Sequence, residues 1–193
     1  MTSLHPGAVA WYVTGRFFSG AGETAFDAGY FVHLEGFEHP MFSGEPGEGT
    51  AYFTFLAKPF RKRTATNGDI SLAIDPVGEF GVYLNREPHA TFDHPHSFGE
   101  GEEIARFRRV SAVMGSTIGT GAADQALFSV NVFSAKLVHS REFELGGRRY
   151  DLARLIPHGV TQWGTAAVTA TGDPPGTPFV GSAIAIGGEP HRP

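Results

Sequence analysis

Apolar and polar residues alternate along this chain in short runs, and a turn signal closes each run, the pattern that predicts β-strands. The first run is Ala10–Phe18 (AWYVTGRFF), closed by Ser19-Gly20-Ala21-Gly22. Gly29–Phe37 (GYFVHLEGF) comes next, followed by a loop rich in Gly, Pro and Glu over Glu38–Gly49. Thr50–Ala57 sets Phe53, Phe55 and Ala57 on one face at period two. Lys58–Gly68 reads as a basic, turn-like connection ending in Asn67-Gly68, a two-residue turn signal. Asp69–Asp75 and Glu79–Asn85 read as strands around a turn at Pro76-Val77-Gly78.

Glu103–Met114 predicts a long strand whose mixed Arg and apolar positions mark a bulge or an edge. In Gln125–His139, Phe128, Val130 and Val132 share one side. Val, Phe, Ser and Asn clustered there argue against a helix over Ala122–Ala135, though Ala122–Leu127 has room for one helical turn. Arg141–Leu152 predicts a hairpin, because Gly146-Gly147 supplies the positive φ values of a type I′ turn between alternating flanks. Val160–Thr171 and Thr177–Ile186 close the chain across the turn Gly172-Asp173-Pro174-Pro175-Gly176.

About ten or eleven strands and no amphipathic helix make an all-β protein, and sheets that large curl or close, because strands twist and bare edges aggregate. The expected architecture is a single antiparallel barrel over residues 1–193, with a two-sheet sandwich as the alternative and 1–9 and 187–193 as loosely ordered tails. Composition agrees: the chain has 26 Gly, 13 Pro and 17 Phe, which break helices and favour pleated surfaces. It has no Cys, so disulfides, thiolate nucleophiles and Cys-based zinc sites are excluded. A net charge of −5 lacks the basic footprint of a nucleic-acid binder. The apolar runs fall far short of the ~20 residues of a membrane-spanning helix, and no leader peptide is legible, so the cytoplasm is the expected location.

Candidate chemistry is sparse. If Tyr30–Phe37 is a strand, Phe31, His33, Glu35 and Phe37 share a face, and burial there would bring His33 and Glu35 into acid–base range as catalytic groups. The other expectation for the pair is solvent. Trp11, Phe53, Phe55, Tyr83 and Trp163 are strand aromatics suited to lining a ligand pocket, with Asn131 as a polar group to orient the ligand. No phosphate loop and no nucleophile elbow occur, and the glycine-rich run Gly115–Gly121 precedes no helix, so no cofactor is implied. Arg108-Arg109 and Arg148-Arg149 read as exposed strand charges.

The run His94-x-His96-x-x-x-Glu100, with His89 nearby, resembles the first signature of the cupin barrels, and Pro157-His158-Gly159 resembles the Pro-x-Gly of the second. That resemblance implies a divalent metal on His94, His96 and Glu100 and dioxygenase or isomerase chemistry. The position of the second signature's His holds Gln162, and Pro95 between the two His suits an edge or a loop. The other reading is a solvated His-rich loop, with no metal ligands assigned.

The general pattern is similar to that of calycin-like and allene-oxide-cyclase-like barrels, or of jelly rolls. This likeness implies a small apolar ligand inside the barrel, bound or converted by a cofactor-free isomerase, cyclase or dehydratase. A non-catalytic interaction domain is the remaining alternative, with edge strands and Phe-rich faces suited to a homodimer.

Overall fold

The computed structural model describes residues 2–20, 24–58, 60–61, 64–67, 70–73, 78–110, 113–119, 126–167 and 169–187. They form the strands Val9–Ser19 (β1), Thr24–Leu34 (β2), Phe53–Ala57 (β3), Phe60–Arg61 (β4), Thr64–Asn67 (β5), Ile70–Ala73 (β6) and Glu79–Leu84 (β7). Then come Glu102–Arg109 (β8), Val113–Gly119 (β9), Ala126–Ser140 (β10), Phe143–Leu145 (β11), Arg148–Tyr150 (β12), Val160–Ala167 (β13) and Gly176–Ala185 (β14). One helical turn, Leu152–Leu155 (α1), precedes β13.

The strands β13, β14, β1, β2, β3, β7, β8 and β10 pair in that order, and β10 returns to β13, so eight strands close an antiparallel barrel. Strand β10 is long enough to pair with two successive strands. Its first half, Ala126–Val132, pairs with β9, and its second half, from Ala135, pairs with β8. Strands β9, β6 and β5 therefore extend the sheet beyond the barrel wall.

Two expectations change here. Lys58–Gly68 is not simply a turn, since β4 pairs with β2 and β5 with β6. Glu103–Met114 is two strands, because β8 stays in the barrel wall between β7 and β10 while β9 leaves it for β6. The expected bulge lies in β8: the register shifts between Val82 and Tyr83, so Ile104 is the inserted residue opposite them. The turn residues 68–69 and 74–77 and the helical turn expected at 122–127 fall wholly or largely outside the described residues.

Period two sorts the wall residues. Trp11, Val13 and Phe31 are at most 4% exposed and face inward, whereas Tyr12 and Val32 between them are more than 40% exposed. Gly15 and Gly29 pair across β1 and β2 on the inner face. A Cβ on Gly29 would meet the Thr14 carbonyl and lie 2.8 Å from Phe55 Cζ, so this glycine pair makes room for the Phe55 ring.

At one end of the barrel the predicted hairpin forms as β11–β12, with Gly146 and Gly147 at φ 60 and 74. Phe143, Tyr150, Leu152 and Leu155 pack into the main core, and Phe37 stacks on Tyr150 at 4.7 Å, which plugs that end. Asp151 caps α1 by accepting from the Ala153 N–H, and the Leu4 N–H donates to the Leu155 carbonyl. Gly159 then turns the chain into β13 at φ +96, where a Cβ would strike the Ala135 carbonyl. Backbone geometry thus accounts for the glycine of Pro157-His158-Gly159.

A second apolar cluster lies on the outer wall. Phe18, Phe26 and Ala28 pack there against Ala90, Phe92 and Phe98 from the segment after β7. Buried Thr54 pins that segment, donating to the Phe98 carbonyl at 2.6 Å and accepting from Asn85 Nδ2 at 2.8 Å.

Candidate functional site

Strand parity brings two charged side chains into the barrel. Asp27 follows the inward positions Gly29 and Phe31 back along β2, and Arg109 follows Ala105 and Phe107 along β8. They are 6% and 7% exposed and meet at 2.9 Å, Arg109 Nη2 donating to Asp27 Oδ1. The Arg109 guanidinium lies over Phe133 at 4.9 Å and Phe80 at 6.0 Å. No other ion pair among the described residues has both partners buried. Desolvating two charges costs several kcal/mol per ion, and the pair returns that only when its geometry is good.

A cavity of about 10 Å³ adjoins the pair, the smallest that holds one water molecule. Trp11, Val13, Phe31, Phe55, Phe80 and Phe133 form its apolar wall, and Asp27 and Gln162 are its polar members. Gln162 accepts from Trp11 Nε1 through Oε1 at 3.2 Å, which orients the amide because an indole N–H only donates. Among the described residues, Asp27 Oδ2 and the Gln162 amide nitrogen have no hydrogen-bond partner. The site thus offers one carboxylate oxygen and one amide donor inside an aromatic shell.

Of the residues expected to line a pocket, Trp11 and Phe55 line this cavity, and Phe53 is fully buried in the main core toward the plugged end. Asn131 shares the inner face of β10 with Phe133 and stands opposite Gly164. Tyr83 and Trp163 are on the outer wall. Tyr83 lies over Gly81, and burial, with the Glu103 carboxylate adding to it, pushes its hydroxyl above the usual range. Trp163 is 40% exposed.

His33 and Glu35 do not line the interior. The β1–β2 register shifts between Tyr12 and Val13, so Val32 is an extra residue and both Val32 and His33 face out. The side chains of His33 and Glu35 are 43% and 49% exposed and meet at 3.1 Å, and Tyr12 lies 5.6 Å from the His33 ring. The bulge instead turns Leu34 inward, where it is 2% exposed. On this outer face Tyr12, Val32, Trp163 and Val180 rim a shallow groove floored by Gly181 and Ser182.

The His-rich segment is not a strand. Pro95–Gly99 is a 3-10 turn, so His94 and His96 lose the shared face that a strand would give them. His96 stacks on Phe26 at 5.0 Å, and Glu100 pairs with His89 at 3.2 Å. The Glu87 carbonyl, then the Glu100 carboxylate, raise the His89 imidazole above its usual range. Among the described residues no three His, Asp or Glu side chains gather as metal ligands, so the set His94, His96 and Glu100 is not assembled.

Asp27 and Arg109 are the site residues that sequence reasoning missed, Arg109 having been read as exposed. The signal was parity: Ala105-x-Phe107-x-Arg109 and Asp27-x-Gly29-x-Phe31 each put a charge on an apolar face.

An eight-stranded barrel with a small aromatic-walled interior site is the class of protein that this geometry defines. The chain matches no protein-family model, no curated protein and no solved structure. Among the described residues no helix is long and apolar enough to cross a membrane.

Proposed function

We propose that this protein binds one small, largely apolar molecule inside the barrel, at the cavity beside Asp27 and Arg109. The buried ion pair carries this reading. An apolar pair of similar volume would serve stability as well or better, so charges kept inside a phenylalanine shell suit recognition. Cofactor-free isomerisation, cyclisation or dehydration is the finer form of the same proposal, with the Asp27 carboxylate as its candidate polar contact to substrate.

The cavity is smaller than any such molecule, so side chains must move. A file of rings leads away from it: Phe55 lies 6.1 Å from Phe179, and Phe179 lies 4.5 Å from partly buried Phe17. Rotation of these rings would open the path.

A second reading rests on the outer groove, which Trp163 and Tyr12 line and where Tyr12 lies 5.6 Å from the His33 ring. The two tryptophans separate the readings, since Trp11 is 1% exposed inside and Trp163 is 40% exposed outside. In Trp163→Phe, an interior ligand shifts Trp11 emission; in Trp11→Phe, the same ligand leaves Trp163 unchanged. The opposite pattern favours the groove, and a panel of apolar compounds that moves neither emission nor melting temperature sinks both.

A further inference from the structure

We propose that the interior ligand is a neutral alcohol whose hydroxyl donates to Asp27 Oδ2, an inference that rests on the interior-binding reading above. Asp27 Oδ1 is engaged by Arg109 at 2.9 Å, whereas Oδ2 has no partner among the described residues, and Asp27 lines the cavity. A carboxylate oxygen without a partner beside a cavity accepts a hydrogen bond, and a charge-assisted one is about twice as strong as its neutral counterpart. The occupant's polar group therefore carries a hydrogen.

Charge balance narrows the class further. Arg109 already neutralises Asp27, so an anionic ligand brings a second negative charge against the carboxylate, and a cation brings one against the guanidinium. Neither is screened in a site whose two charged side chains are 6% and 8% exposed. A neutral donor leaves the balance intact. The apolar remainder of the described wall suits a hydrocarbon body, and the Gln162 amide also lines the cavity.

The test uses the full chain carrying Trp163→Phe, with Trp11 emission as readout and three probes of one size: cyclohexanol, cyclohexanone and cyclohexanecarboxylate. Cyclohexanone accepts but does not donate, so cyclohexanol should bind at least about tenfold tighter. Cyclohexanecarboxylate should bind more weakly than either. In Asp27→Asn, whose amide offers a donor, the alcohol preference should fall to about unity. If Asp27→Asn does not fold, the probe order in the parent protein decides. Ketone binding equal to or tighter than alcohol, carboxylate binding tightest, or an alcohol preference unchanged in Asp27→Asn each overturns the inference and leaves interior binding standing. Failure of all three probes to move Trp11 emission overturns this inference, and Trp11 emission unmoved by the wider apolar panel as well overturns interior binding itself.

Discussion

Replacing Asp27 by Ala removes the carboxylate that neutralises Arg109 in an interior where both side chains are less than a tenth exposed. Two unit charges about 4 Å apart attract by roughly 4 kcal/mol at an effective dielectric constant of about 20. Breaking a buried pair from one side typically costs about 3–5 kcal/mol, because the remaining charge stays desolvated. For a domain of this size, that lowers the melting temperature by roughly 6–20 °C. The double variant Asp27→Leu/Arg109→Met removes both charges and fills their space with apolar side chains, so its stability should match the parent or exceed it by about 1–4 kcal/mol. Urea unfolding followed by far-ultraviolet dichroism at pH 7 gives both values. A loss under about 1 kcal/mol in Asp27→Ala would mean that Arg109 reaches water. A double variant as unstable as the single one would mean that the pair is held for stability, and the argument from its cost would fail. A stable double variant that no longer shifts Trp11 emission with ligand would separate binding from folding.

Gly29→Ala should destabilise the barrel by at least about 2 kcal/mol in the same urea assay, because its Cβ meets the Thr14 backbone carbonyl and the Phe55 ring; a neutral result would refute the close approach of β1 and β2. Phe98→Ala should cost about 3–5 kcal/mol, since the ring is fully buried in the outer cluster, and a loss below 1 kcal/mol would show that the covering segment adds little. Hydrogen bonds from Lys58 and Arg108 hold the Glu79 carboxyl at about 2, well below its ordinary 4.5. A carboxylate depressed in the folded state stabilises it above the unfolded value, and that contribution fades as pH falls from about 4.5 toward about 2. Glu79→Gln should therefore flatten the stability profile across that window; an unchanged slope between pH 5 and 2 would contradict the pairing.

The strands and the hairpin were legible in the amino-acid order, because period-two patterning and turn chemistry are local. β1, β7, β10 and β14 fall within a few residues of their expected bounds, and Gly146-Gly147 turns the chain as its left-handed preference requires. Closure was legible only as a tendency of many short strands. Which face looks inward is a property of pairing across the barrel, and local patterning sets only which residues share a face. One inserted residue, Val32, was enough to turn His33 outward and Leu34 inward, and no alternation within β2 announces it. Apolarity alone did not separate wall from lining either: Phe18, Phe26 and Trp163 sit on the outer wall, the first two under a segment of the same chain. The meeting of Asp27 with Arg109, 82 residues apart, needs β2 and β8 to curve around a common interior. Backbone preference acts over a few residues, whereas the site is made by contacts that exist only once the sheet has closed.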